Sequence, residues 1–317
     1  MNSQEKAIDR AAKRAGKGDP LHAFKSESTG EKIGTIVLYL VMTILVLLVL
    51  LPVLNIIACS FSEPQAVISG KVGLWPVNPT LRGYDAVFKY KKFWIGLRNS
   101  IFYTVFGTFV NIVMTVLCAY PLSRKEFTAR NKISMYFVFT MYFSGGLVPT
   151  FLVITKLQLV DTIWAMIIPV AMSSYNMIIC RTYMVNSIPD ELYEAGELDG
   201  CTPFQYLIRV VVPLCKPILA VLVLYYAVGH WNSYQDAMFY LKSENLMPLQ
   251  IVLREILILS DVDVTMMGSA DALARQRGLK DLLQYSLIVV SSLPVMIIYP
   301  FVQKYFVKGV MIGAVKG

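Results

Sequence analysis

Four carboxylates, Asp190, Glu191, Glu194 and Glu197, crowd a short stretch just ahead of Asp199 and Gly200. On a helix they sit mostly toward the N-terminal end, where the dipole is positive. Ser187 is placed to cap that helix, and Pro189 falls near its first turn, where a missing N–H costs nothing. Gly200 stops it, as a residue able to take positive φ just past a helix end. Thr202 reads as a second cap, with Pro203 at the first helical position and Gln205 three residues on, the capping-box spacing. The passage Glu194 to Pro217, EAGELDGCTPFQYLIRVVVPLCKP, therefore specifies a helix, a tight Asp199-Gly200-Cys201 corner and a second helix running back into apolar sequence. The chemistry such a corner offers is recognition: an acidic, sharply turned projection is shaped to be gripped by a partner.

Bond-making chemistry has little to work with. No phosphate-binding G-x-x-x-x-G-K-[ST] loop, G-x-S-x-G elbow or H-E-x-x-H pair occurs. His22 and His230 are the two histidines, and Cys59, Cys118, Cys180, Cys201 and Cys215 lack metal-ligand spacing, so no metal site is expected. His230 reads as a packed polar residue rather than a proton relay, because no intramembrane carboxylate is at hand. Asp261, Asp263 and Asp271 lack the glycine and terminal glutamate of a calcium loop and read as solvated.

The elements that must carry the corner are membrane spans. Of the 317 residues 56% are hydrophobic and 16% charged, with mean hydropathy +0.57, too apolar for a soluble chain of this length. Charge vanishes from six windows of about 19 residues or more. The expected fold is all-α and polytopic, with six transmembrane helices near 33–62, 99–123, 133–155, 162–180, 217–235 and 282–303. A basic N-terminal tail, 1–32, precedes them. A loop at 187–213 lies between the fourth and fifth, and a tail at 308–317 ends the chain. Arg124, Lys125, Arg130 and Lys132 crowd the loop after the second span, the strongest local positive-inside signal. That loop, the loop at 187–213 and both termini are expected to be cytoplasmic. Net charge is +8, but no basic patch interleaves with exposed aromatics, so membrane edges rather than nucleic acid account for it. Ser144-Gly145-Gly146 and Pro149 in the third window, and Pro169 in the fourth, are residues at which a membrane helix can break.

The corner resembles the EAA loop of the membrane subunits of ABC importers: Glu-Ala-Ala, three residues, Gly, nine residues, then Ile-x-Leu-Pro. Glu194, Ala195, Gly200 and Pro213 fall at that spacing, while Gly196 stands for the second alanine and Val210 and Val212 for isoleucine and leucine. Gly196 loosens the helix by roughly 1 kcal/mol relative to alanine. The runs Phe143 to Thr150, Ala227 to Asn232, Pro248 to Glu255 and Lys304 to Gly317 are similar to carbohydrate-uptake permeases. Nearest among these is the branch associated with aldouronate and other complex oligosaccharides.

The resemblance implies a type I importer permease of the bacterial plasma membrane, not an enzyme. Its partners would be a second homologous permease, a dimer of cytoplasmic ATPase subunits that bind ATP and Mg, and an extracytoplasmic solute-binding lipoprotein. Coupling to the ATPase would fall to Glu194, Ala195, Gly196, Asp199, Gly200 and Pro213. A saccharide offers hydroxyls for hydrogen bonds and flat C–H faces for rings, so Tyr175, Asn176, Trp231, Asn232 and Tyr234 are the residue types for a translocation pathway. The competing reading of these five is interhelical hydrogen bonding and interfacial packing. The alternatives in function are an importer for an amino acid or peptide and, from another class, a membrane-embedded lipid or glycan enzyme.

Overall fold

The computed structural model describes residues 29–262 and 280–297, and among these every regular element is helical. Residues 1–28 of the expected N-terminal tail, the C-terminal tail, Asp263, Asp271 and the end of the sixth window lie outside the described residues, while residues 29–32 of that N-terminal tail already belong to the first helix. The long first helix, α1 (Thr29–Ser60), is exposed on all sides through its apolar length. Only its far end packs, where Ala58 and Cys59 meet Val72 and Asn55 Nδ2 donates to the carbonyls of Val72 and Gly73. An apolar helix exposed all round suits a lipid environment. Short helices α2 (Pro64–Ile68) and α3 (Arg82–Lys89) lead to α4 (Lys91–Ser123).

Helix α4 is the axis of the bundle. The main core gathers on one of its stripes: Val116 and Ala119 meet Met177 and Cys180 of α7 (Ser174–Ser187) and Leu222 of α10 (Lys216–Trp231). Cys180, Ala119 and Leu222 are fully buried. At its start α4 is tied to the segment before α12 (Leu249–Val262). There Asn99 Nδ2 donates to the carbonyls of Asn245 and Met247, and Tyr103 donates to that of Leu246. Asp161, between α6 (Leu147–Lys156) and α7, accepts from the amides of Lys242 and Ser243 and the Ser243 hydroxyl. Those donors hold its carboxyl below the usual carboxylate range.

Among the described residues three helices are long and apolar enough to cross a membrane unbroken: α1, α4 and α13 (Lys280–Ile297). The third and fourth expected spans are not single helices, while α10 runs unbroken through 217–231 of the fifth. The third window is broken at residues 143–146, so that α5 (Arg130–Tyr142) and α6 meet at 115°. Gly146 has φ +83 and ψ 180, a conformation essentially reserved for glycine. The fourth window is irregular through most of its first half: a 3₁₀ turn at Ile163–Met166 leads to non-helical backbone at 167–173 before α7 begins. Beyond the corner, α9 (Pro203–Leu214) contains a π turn at Leu207–Val211 and meets α10 at 82°.

Irregular backbone at membrane depth survives only if its freed N–H and C=O groups find partners. Here they do. Asn111 on α4 donates its amide to the Val170 carbonyl, and the Ser173 amide donates to the Tyr226 hydroxyl of α10 at 3.1 Å. Tyr226 in turn shares a 2.7 Å hydrogen bond with Thr115. The Asn111 amide oxygen lies 2.6 Å from His230 Nε2, so that nitrogen is the one carrying the proton. Asn111 is fully buried and serves two elements at once.

Asn111→Leu keeps the volume but leaves a carbonyl and an N–H unsatisfied. Each costs about 1–3 kcal/mol, so the variant should melt several degrees lower in detergent and expose 167–173 to protease. Thr115→Val, which removes one hydroxyl, should shift melting less. Equal stability of Asn111→Leu and the parent would show that the break is held by something else.

Candidate functional site

The corner is built as its local chemistry demands, with one difference at its start. Helix α8 (Asp190–Leu198) takes Pro189, not Ser187, as its N-cap, and no side chain caps it. Ser187 is instead the last residue of α7. Ile188 continues α7's hydrogen bonding through its amide to Met184 O, and Pro189, with no N–H, is the first residue that cannot. Gly200 has φ +74, and its neighbour's amide, Cys201, reaches back to the Gly196 carbonyl at 2.9 Å. Nothing stands within 4 Å of a Cβ built on Gly200, so the position asks for glycine by backbone conformation alone. Thr202 and Gln205 form a complete capping box around Pro203.

The base of the corner is clamped from the loop after α4. The Arg124 guanidinium lies over the Tyr193 ring at 3.8 Å, with Tyr206 of α9 at 5.9 Å. Tyr193 and Tyr206 meet edge to face, 5.3 Å between centroids. Lys125 pairs with Asp190 at 2.5 Å. Tyr206 is buried, and a Cβ on Gly196 would fall 2.8 Å from its ring. The glycine that departs from the EAA pattern is therefore the seat of an aromatic ring.

The tip, by contrast, is open. Glu194, Ala195, Asp199 and Gly200 are exposed, Leu198 is 90% exposed and Phe204 62%. Pro213 is also exposed, within α9 just before the bend.

Two cavities flank α10. The first, about 420 Å³, is the more polar of the two: Asn111, Asn176, Tyr225, His230, Ser233 and Asp236 are among the residues that line it, with Val170 and Met172. The second, about 530 Å³, is mostly apolar and bounded by Tyr175, Asn176, Trp231 and Pro294 among others. Asn176 and Tyr225 belong to both. Of the five expected pathway residues the fold thus gathers Tyr175, Asn176 and Trp231, whereas neither cavity includes Asn232 or Tyr234. Trp231 is buried, with its indole N–H donated to the Ser291 carbonyl at 3.2 Å, so its polar tip is engaged with α13. Asp236, at the start of α11 (Tyr234–Tyr240), puts a carboxylate in the cavity that His230 lines. The expectation that no carboxylate would lie near that histidine is corrected by the turn at 232–233, which folds the chain back.

The family model described as the binding-protein-dependent transport system inner membrane component matches residues 93–312. The chain belongs to that family. This permease is 39% identical over 274 residues to the polygalacturonan/rhamnogalacturonan transport system permease protein YtcP of Bacillus subtilis (strain 168), covering 86% of the chain and 94% of that protein. It is 39% identical over 269 residues to protein LplC of the same organism, 84% of the chain and 90% of LplC. Its fold matches a chain from the crystal structure of a bacterial ABC transporter involved in the import of the acidic polysaccharide alginate. There the TM-score is 0.79 and the identity 34%, over 88% of this chain and 99% of that one. The permease is a membrane transport subunit and not an enzyme.

Sequence reasoning missed Leu198, Phe204, Arg124 and Asp236. The first two were legible as large apolar residues beside a turn; the others depend on which distant element packs against them.

Gly196→Ala gains roughly 1 kcal/mol of helix propensity but drives its methyl against Tyr206, which is too buried to swing away. Hydrogen exchange in 190–198 should therefore quicken in Gly196→Ala and recover when Tyr206→Leu is added. Additive effects of the two changes, with no recovery, would mean the glycine is there for another reason.

Proposed function

We propose that the permease forms the membrane path of a saccharide importer and that its 190–206 corner is where ATP-driven motion enters. The observation that carries this reading is the contrast within the corner: a base clamped by Arg124 and Lys125, and a tip whose Leu198 and Phe204 stand bare beside a glycine at positive φ. Bare apolar anchors around a backbone that can approach closely fit a cleft on a partner. That partner is a cytoplasmic ATPase dimer, which holds the ATP and Mg. Glu194 meets a cationic or donor group on it, Gly200 lets the corner enter, and Ala195, Asp199 and Pro213 shape the two flanks. A second homologous permease completes the path, and an extracytoplasmic binding lipoprotein delivers the solute.

A saccharide is the cargo that suits the polar cavity, where amide, hydroxyl and carboxylate groups converge beside the Tyr225 ring. The relatives named for polygalacturonan, rhamnogalacturonan and alginate transport support it. The basic loop 124–132 and both tails face the cytoplasm of a bacterial cell, with 63–90 outside.

The deciding experiment reconstitutes Gly200→Val in liposomes with the partner subunits. A β-branched residue at φ +74 costs on the order of 1–2 kcal/mol locally, and its added volume obstructs docking. Membrane insertion should be unchanged, while binding protein plus saccharide should no longer stimulate ATP hydrolysis. If the variant stays coupled, the corner is not the transmission element.

Orientation has its own check. An impermeant thiol reagent added to intact cells should label Trp75→Cys above the parent background and leave Thr128→Cys at background. The reverse pattern would invert the topology.

A further inference from the structure

A recessed pocket of about 240 Å³ lies behind the corner, where α4 gives way to the basic loop. Tyr120, Arg124, Lys125, Arg130 and Asp190 supply its polar lining, and Met184, Val185 and Ile188 its apolar wall. Three cations thus face one carboxylate. That carboxylate, Asp190, is already held by Lys125 at 2.5 Å. Arg124 is only 9% exposed, and its Nε and Nη2 make no hydrogen bond among the described residues. Its one ionic neighbour there is Glu126, at a loose 3.5 Å and half exposed. The Tyr120 hydroxyl is likewise buried without a partner.

A buried guanidinium with idle donors is costly to leave so. Stacking on Tyr193 satisfies the π face of the guanidinium but none of its N–H groups, which lie in the ring plane. Two further features favour an anion. Helix α8 begins at the same pocket with no side-chain cap, so its first-turn amides add positive potential. The apolar wall keeps water from screening the charge.

We infer that this pocket binds a phosphate group, seated on Arg124 with Arg130 and Tyr120 beside it, and so bridges the end of α4 to the start of α8. A guanidinium fork matches phosphate oxygens two at a time, and the cavity has room for one such group. The group has two available sources. Basic pockets between membrane helices at the cytoplasmic side take anionic lipid headgroups; free phosphate offers the same oxygens.

The test uses the full-length permease in detergent, as the assembly that co-purifies with it, and native mass spectrometry. Phosphatidylglycerol, phosphatidylcholine and inorganic phosphate are titrated separately. Phosphatidylglycerol should be retained in preference to phosphatidylcholine, and Arg124→Gln should weaken its retention about tenfold or more, the worth of a charge-assisted contact. Arg130→Gln, at a half-buried position with little packing to lose, should weaken it in the same direction even if Arg124→Gln proves unstable. Binding of inorganic phosphate alone, with the same dependence on both arginines, would support the site and assign it to the free ion. Equal retention of every probe by parent and both variants would overturn the proposal. So would capture of an ATPase carboxylate by Arg124 in cross-linking with no phosphate dependence.

Discussion

One buried amide sets the terms for the interior. Asn111 presents its N–H to the Val170 carbonyl and its oxygen to His230, and in doing so it fastens two elements to α4. Without it the irregular backbone at 167–173 would hold an unsatisfied carbonyl in an apolar bundle, and continuous helix would be the cheaper solution. With it the chain bypasses helix there and leaves a hollow lined by groups that hydrogen-bond. The polar cavity exists because an asparagine and a tyrosine on neighbouring helices do for 167–173 what a helix would have done for itself.

The opposite end obeys a different constraint. Interactions at the corner are concentrated on its base, where a guanidinium, two tyrosines and an ion pair meet. The tip has almost none, and two large apolar side chains are left in the open. The division sets stiffness where the corner joins the bundle against free surface at its tip.

What could be read from sequence follows from how far apart the deciding groups lie. The Gly200 turn and the Thr202–Gln205 box involve neighbours within four residues, and both were legible. The Ser187 cap failed even at short range, because α7 runs on through that position and Pro189 ends it. The fourth window reads as a span because it is apolar, yet its break is made by Asn111, 59 residues away in the chain. Gly196 looked like a weak helix position until Tyr206 was found against it. Trp231 has the right chemistry for a sugar, and what sequence could not show is that its indole N–H is donated to Ser291 while the residue borders the second cavity. Composition finds the membrane and local spacing finds the corner, but the cavity is written in pairs.

Those two regions are also joined by a single run of chain. From the corner α9 rises through a π turn to Cys215, where the axis swings by 82°, and α10 then carries Tyr225, Tyr226 and His230 past the cavity. Cys215 is fully buried in the same core that holds Met177 and Leu222, so the elbow is pinned while both arms extend from it. A π turn holds one residue more than α geometry and leaves weaker hydrogen bonding, and such turns are frequent at functional sites. Pro213, within α9, removes a further amide from the ladder, while Pro217 opens α10 where a missing N–H costs nothing. The chain is therefore softest in bending where it is most firmly fixed in position. Were the tip displaced, an elbow pinned at Cys215 would pass that motion to α10 as rotation rather than as translation of the whole arm. Such a rotation would change the angle at which His230 meets Asn111, the amide on which the cavity's far wall depends.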